Sequence, residues 1–405
     1  MTTTAPVPLS APAARPFPYL GLGMLAVAIF LNVTIEMIPT GLLPEMSADL
    51  GVSEALVGLL VTVFAFTVVL TSTTLVALTR RLPRHALVVG VLAVFALSCL
   101  STALAPTYPL VVASRVFGGL AHGVFWAVVG AYSSYLVPRE QLGRAVAITL
   151  GGGSLAFVLG VPLGTALGQW LGWRAAFGGL AALVAVGALL IWRFLPRVDH
   201  LAAADAPETS AAGGGRGRSV GGVVLLCTIT GVIMIGQYTF YTYVAPYFSR
   251  EAGLGDAAIS PLLFAYGVAG AVGLAIVGAY LGSRPRIGLV VSLAATIVAI
   301  GLLTAFPHVP VVSVSAFALW GLALGGLPAL LQTRLLHVAP VRMRDTASAF
   351  FTTAFNVGIG GGALVGAIVL ETLGLRAIPA VYLGILVLAL AVVLVSDALS
   401  ARRRA

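Results

Sequence analysis

Glu36 is the acidic residue most out of place in this sequence. It stands inside the apolar run 20–42, with Asn32 four residues before it and Thr40 four after. Spacings of four put all three on one face of a helix. At 1.5 Å per residue the carboxyl lies about 25 Å along that helix from Leu20. A charged acid in hydrocarbon costs roughly 2.5–3.5 kcal/mol on insertion scales, so Glu36 should face a protein interior or a wet cavity. Loss of water favours the neutral form of a carboxyl, which suits a group that loads and releases a proton. The blander alternative is a carboxylate that reaches the interface and only orients its helix.

Arg115, Gly119, His122 and Trp126 follow one another at spacings of four, three and four. A cation, a ring that titrates near pH ~6.5 and a large aromatic therefore share a helix face. Arg115 could balance Glu36, and His122 could pass a proton. Equally, His122 could hydrogen-bond a neighbouring backbone and Arg115 could anchor its helix near the outer leaflet. The segment GQYTFYTYVAP, 236–246, offers Gln237, Tyr238 and Tyr241. Rings with hydroxyls bind apolar or sugar-like ligands while giving a hydrogen bond. Tyr243 and Tyr247 read as membrane-interface anchors. Trp320, Gln332 and Asn356 are candidates either for the same cavity or for contacts between helices. No metal-ligand spacing, Ser/His/Asp grouping or paired carboxylates occur, so neither a cofactor nor an enzyme is expected.

The elements that carry these residues are apolar helices. Of 405 residues 60% are hydrophobic and 9% charged, with mean hydropathy +1.07, which excludes a soluble globule with its roughly 25% charged residues. Continuous apolar stretches run at 20–42, 55–78, 86–106, 109–135, 145–169, 175–195, 220–245, 258–281, 287–306, 311–333, 347–370 and 377–398. Their length and lack of alternation predict an all-α integral membrane protein with twelve transmembrane helices, because only helices and closed barrels satisfy the backbone in lipid. The net charge is +9 and all 22 basic residues are arginine. Without lysine no G-x-x-x-x-G-K-[ST] loop exists, so the chain cannot power transport by its own ATP hydrolysis. The arginines do not form a run interleaved with aromatics, and no nucleic-acid partner is expected.

Eighteen arginines fall in the gaps on one side of the spans and three, Arg174, Arg250 and Arg376, on the other. This bias predicts a multi-pass membrane protein with both termini cytoplasmic, and richness in alanine, glycine and arginine without lysine points to a bacterial plasma membrane. The expected organisation is a tail 1–19 without a cleaved signal, a six-helix bundle 20–195, a flexible linker 196–219, a second six-helix bundle 220–399 and an Arg-rich tail 400–405. A shift of 202 aligns Pro44 with Pro246, Pro83-Arg84 with Pro285-Arg286, Gly123 with Gly325, Gly160 with Gly362, Gly164 with Gly366, and Gly172-x-Arg174 with Gly374-x-Arg376. Six spans per repeat give both halves the same orientation, a parallel pseudo-repeat. Gly160, Gly164 and Gly168 with Pro162, and Gly358, Gly362 and Gly366, form stripes that predict close, bendable packing between the halves.

These residues resemble the major facilitator superfamily, and within it the twelve-span drug/proton antiporters that include sugar-efflux and chloramphenicol-efflux proteins. The resemblance rests on TIEMIPTGLLP (34–44), RVFGGLAHGVFWAVVG (115–130) and LGVPLGTALGQWLGWRAAF (159–177), and it covers Leu20 to Leu399. The loop 76–85 departs from the superfamily's Gly-x-Leu-Ala-Asp-Arg-x-Gly-Arg, with Arg80 in place of the aspartate and Pro83 in place of the second glycine. Arg81 and Arg84 still suit a cytoplasmic turn that gates. The resemblance implies proton-coupled efflux of a drug, sugar or similar metabolite by a monomer, with two bundles rocking about a cavity lined by helices 1, 4, 7 and 10. On this reading Glu36, His122 and Arg115 serve the proton, and Asn32, Trp126, Gln237, Tyr238, Tyr241, Trp320, Gln332 and Asn356 serve the substrate. Uptake by symport or facilitated diffusion is the alternative transport mode, and a non-transporting receptor the alternative class.

Overall fold

The computed structural model describes residues 17–138, 141–198, 220–281, 284–340 and 343–402, and no strand occurs among them. The N-terminal tail, most of the linker and the last arginines lie outside the described residues. Among the described residues twelve helices are long and apolar enough to cross a membrane: α1 Tyr19–Gly41, α2 Glu54–Thr79, α3 Arg84–Leu104, α4 Tyr108–Leu136, α5 Leu142–Leu171, α6 Trp173–Phe194, α7 Val220–Tyr241, α8 Asp256–Leu281, α9 Pro285–Ala305, α10 Pro310–Val338, α11 Thr346–Leu373 and α12 Ala377–Ala398. An even number of spans returns the chain to the face it started from, here called the termini face.

Several irregularities were not legible as apolar runs, among them π-helical turns at Tyr247–Glu251 and Val277–Leu281. A short helix, Leu43–Leu50, follows α1 on the far face. Helix α10 is broken at Gly326, with Pro328 just inside its second segment. Helix α5 contains a π-helical turn at Ala156–Gly160, immediately before Pro162. Proline has no N–H for the carbonyl four residues back, and a wider turn accommodates that gap.

The repeat is visible in the conformation. Gly51 and Gly253 have φ of +62° and +66°, and Gly172 and Gly374 have +88° and +84°; both pairs are separated by the same 202 residues. Each second glycine admits the left-handed turn that starts the next helix. Two residues later an arginine pairs with an acid, Arg174 with Asp49 and Arg376 with Glu251, the latter at 3.0 Å. These acids are also 202 apart, so one ion pair is built twice.

Within each half the central helices pack on their neighbours: α1 on α5 and α6, α7 on α11 and α12. Across the halves α2 packs on α11 and α5 on α8. Exchanging first and second half turns one contact into the other, as a pseudo-two-fold axis requires. Polar contacts join the halves in the middle and toward the far face. Thr62 Oγ1 donates to the Gly360 carbonyl (2.9 Å), Ser260 Oγ to that of Pro162 (2.9 Å), Gln169 Nε2 to that of Asp256 (2.8 Å), and Arg250 pairs with Glu54.

The glycine stripes act inside each half, which corrects the expectation of packing between halves. A Cβ at Gly160, Gly164 or Gly168 would meet Thr34, Ile38 or Leu42 of the α1 segment, and one at Gly358, Gly362 or Gly366 would meet α7 and Tyr243. The stripes therefore fuse α5 to α1 and α11 to α7.

Tyr243 and Tyr247 are not interface anchors. Both are fully buried, and their hydroxyls donate to the carbonyls of Ala363 (3.0 Å) and Leu303 (2.6 Å). They tie the segment after α7 to α11 and α9. Tyr243→Phe is expected to cost about 1 kcal/mol of stability, as loss of one buried hydrogen bond does. A thermal unfolding midpoint equal to wild type would contradict that lock.

Candidate functional site

Pro39 sits near the end of α1 and cannot supply the N–H that the carbonyl of Ile35 would accept. Arg115 of α4 fills the vacancy. Its Nη1 donates to the Ile35 carbonyl at 3.1 Å and its Nη2 to the Glu36 carbonyl at 3.3 Å, with the guanidinium 4.4 Å from the Phe64 ring centroid. The residue is 1% exposed. Arg115 gives its hydrogen bonds to the main chain of α1 and not to the Glu36 carboxylate, on which its charge acts without a hydrogen bond.

The carboxylate instead faces His122, with Oε2 4.0 Å from Nε2. Glu36 is 6% exposed and His122 2%, and the imidazole is walled by the rings of Phe64, Phe95 and Trp126. Glu36 Oε1, His122 Nδ1 and both amide atoms of Asn32 lack partners. Buried polar atoms are ordinarily paired, and each exception calls for an explanation. Unpaired atoms in a buried acid–imidazole pair can hold a proton or a ligand group without first breaking bonds in the protein.

A separate cavity of about 320 Å³ lies between α5, α7, α8, α10 and α11. Gln237, Tyr238, Tyr241 and Tyr266 line it together with Ser154, Phe157 and Phe355. Gln237 is held from three sides. Its Nε2 donates to the Tyr266 hydroxyl (3.0 Å), and its Oε1 accepts from Trp320 Nε1 and the Tyr382 hydroxyl (2.9 Å each). Tyr266 and Tyr382 were missed in the sequence because each stands in an apolar stretch with no polar stripe beside it.

Compared with the expected lining by helices 1, 4, 7 and 10, this cavity draws on α7 and α10 but adds α5, α8 and α11. Trp320 supports the cavity from behind, wholly buried against Phe240 and Tyr241. Trp126 is half-buried against His122 and Phe125. Asn356, buried on α11, donates through Nδ2 to the Thr352 carbonyl while its Oδ1 stays unpaired. Gln332 lies exposed beyond the α10 break and is not brought to the cavity. Arg81 is exposed at the α2–α3 turn, and Arg84 is half-buried at the start of α3.

The Major Facilitator Superfamily profile matches residues 25–362 and 226–404. The chain belongs to the major facilitator superfamily. Among curated proteins it is similar to the probable sugar efflux transporters of Helicobacter pylori strain 26695 and Helicobacter acinonychis, each 31% identical over 86% of this chain and 88% of the relative. Among solved structures it resembles a bacterial homologue of the human lysosomal transporter Spinster in an inward-facing, occupied conformation, with TM-score 0.71, 17% identity, and coverage of 96% of this chain and 98% of that one. The nucleoside transporter NupG, as its D323A mutant, matches at TM-score 0.73 and 12% identity over 93% and 99% of the two chains. As a member of the major facilitator superfamily this chain is a multi-pass membrane transporter, not an enzyme. The loop 76–85 keeps its departure from the superfamily pattern.

Proposed function

We propose that this transporter is a proton-coupled efflux carrier for a small organic solute of the sugar class, working as a monomer by alternating access in a bacterial plasma membrane. The observation that carries the reading is Glu36, an acid buried in the middle of the α1 packing with one unpaired oxygen and His122 as its neighbour. The names of the curated relatives support the sugar class and the efflux direction. The arginine bias supports a cytoplasmic termini face. With that orientation, polar contacts gathered in the middle and on the far side fit an inward-facing state.

On this reading the bundles 20–195 and 220–399 are the moving bodies. Glu36 takes a proton from outside as substrate leaves, which lets the bundles close without burying a bare charge, and releases it inside when the next substrate binds. Arg115 holds the Ile35 and Glu36 carbonyls of α1 so that the carboxyl meets His122. Asn32 and Trp126 border the proton site, Gln237, Tyr238 and Tyr241 contact the solute, Trp320 and Asn356 position the cavity wall, and Arg81 and Arg84 hold the cytoplasmic turn. Substrate and proton must then weaken each other's binding.

Everted vesicles with an acidic interior and a pH-quenched dye test the proposal against sugars, glycosides, phenicols and cationic dyes. Substrate should relieve quenching in wild type, and the Glu36→Gln signal should fall to the level of empty vesicles. Undiminished proton-coupled efflux in Glu36→Gln would sink the assignment. Acidification of the lumen on adding substrate would favour symport instead.

A further inference from the structure

The turn between α2 and α3 departs from the superfamily pattern toward positive charge: Arg80 stands where that pattern has an aspartate, and Arg81 and Arg84 follow. Arg84 and His85 open α3, a position that the helix dipole makes unfavourable for cations and favourable for anions. The first bond of the helix runs from the Leu87 N–H to the Pro83 carbonyl at 3.0 Å, so the N–H groups of Arg84, His85 and Ala86 have no partner within it. Pro83 provides no side-chain cap, and no acid stands in the first turn. His85 is 7% exposed, and its buried Nε2 has no hydrogen-bond partner; Arg84 Nε is buried and unpaired as well. Helical side chains lean toward the N-terminus, so His85, the second residue of α3, brings its ring back over these N–H groups.

Helix α6 ends on the same termini face and packs against α3. It brings Trp192 and Arg193 there, with Arg197 just beyond. None of Arg81, Arg84, Arg193 and Arg197 pairs with a carboxylate, and no acidic residue occurs among the described residues of this face in the first half. The second half differs. Arg286, the repeat counterpart of Arg84, lies at the start of α9, which packs on α12 and on the second segment of α10, where Arg334 pairs with Asp397. The second-half cluster thus holds its own counter-charge, and the first-half cluster holds none. Leu78, Leu82 and Trp192 are exposed beside the first-half arginines, so apolar surface adjoins the positive charge.

We propose that the start of α3 binds the phosphate group of an anionic phospholipid. The phosphate oxygens accept from the N–H groups of Arg84, His85 and Ala86 and from the His85 Nε2–H, and the guanidinium groups of Arg84 and Arg193 supply the charge. A helix N-terminus is a ready anion site, and hydrogen bonds to an ionised acceptor are the strong ones. The acyl chains lie along the exposed leucines of the turn and toward Trp192, surface that a free phosphate leaves uncovered. Basic pockets between transmembrane helices take lipid headgroups in this way. The lipid clasps α3 to α6 at the turn and replaces, from outside the chain, the negative charge that the superfamily pattern keeps there. This site shares no residue with the acid–imidazole pair or the solute cavity.

The test is native mass spectrometry of the purified full chain titrated with dioleoyl phosphatidylglycerol or dioleoyl phosphatidylcholine. Wild type should bind the first phosphatidylglycerol at least about tenfold more tightly than phosphatidylcholine, as expected where hydrogen bonds end on a charged group. Arg84→Gln and His85→Phe should each lose about tenfold of that affinity. Arg286→Gln removes the same charge from the same face in the other half and should bind as wild type does. Equal affinity for the two lipids, or unchanged binding in Arg84→Gln, overturns the site. A loss in Arg286→Gln as large as that in Arg84→Gln shows diffuse attraction to a basic face and overturns it as well. Inorganic phosphate should not displace the lipid, and displacement would assign the site to a free anion and overturn the lipid. Unfolding midpoints of the variants identify any loss that comes from misfolding, and if His85→Phe does not fold, the half-buried Arg84 position decides the outcome.

Discussion

Arg115→Ala is expected to leave little protein that survives extraction in detergent, with a stability loss of about 3–5 kcal/mol. The substitution removes two charge-assisted hydrogen bonds, each worth roughly 1.5–3 kcal/mol, and leaves the Ile35 carbonyl unpaired inside the bundle. It also removes the cation above the Phe64 ring. Arg115→Lys should recover only part of the loss, because a single ammonium cannot span both carbonyls as the guanidinium fork does. The decisive variant is Arg115→Ala combined with Pro39→Ala. Alanine at 39 returns an N–H to the Ile35 carbonyl, so the double variant should be more stable than Arg115→Ala alone. Equal unfolding midpoints for the two would show that Arg115 does not serve the gap left by the proline.

Gly325→Ala should disrupt the second half nearly as severely. A Cβ at Gly325 would overlap the Gly270 carbonyl and lie 2.7 Å from the Gly270 Cα, and one at Gly273 would come within 2.9 Å of the Leu322 carbonyl carbon. Because α8 and α10 touch main chain to main chain here, no side-chain rotation relieves the clash, and the helices must separate along the cavity wall. Overpacking costs typically about 1–3 kcal/mol and more where backbone must move. Glycine contacts of this kind also set the cavity width, so Gly325→Ala should weaken solute binding in whatever protein does fold. Gly90→Ala and Gly301→Ala are the comparison. Nothing lies within 4 Å of a Cβ at either position, and alanine is preferred over glycine in a helix by about 1 kcal/mol. Those two should melt at or above wild type. A Gly325→Ala protein that melts with them would refute the backbone contact.

The twelve spans were legible because hydrocarbon imposes a length and an apolarity that few other structures share. The predicted stretch 287–306 and α9, Pro285–Ala305, agree to within two residues. The break in α10 was hidden because Gly325, Gly326 and Pro328 are themselves apolar enough to continue the run. For the site, spacing correctly grouped Arg115, His122 and Trp126 on one face, but a face does not name what it meets. The target of Arg115 depended on Pro39, a residue on another helix whose effect is a missing donor. The glycine stripes pose the same problem, since a small-residue face predicts close approach without saying which helix approaches. Tyr243 and Tyr247 read as anchors because a tyrosine near a helix end looks identical whether its hydroxyl meets water or the carbonyl of Ala363.

The π-helical turn in α5 has no counterpart in α11, which runs unbroken with Leu364 at the position matching Pro162. Two copies that began alike have diverged in their mechanics: one central arm carries a built-in joint and the other is a rigid strut. The same divergence separates Glu36 from Tyr238, an acid in one copy and a phenol in the other. A protein assembled from two first halves would have two joints and two acids but lack the rings of α7 and α8, and one from two second halves would lack both the acid and the α5 wall of the cavity. Duplication supplied the symmetry of this carrier, and its loss at a few positions made the halves unable to replace one another.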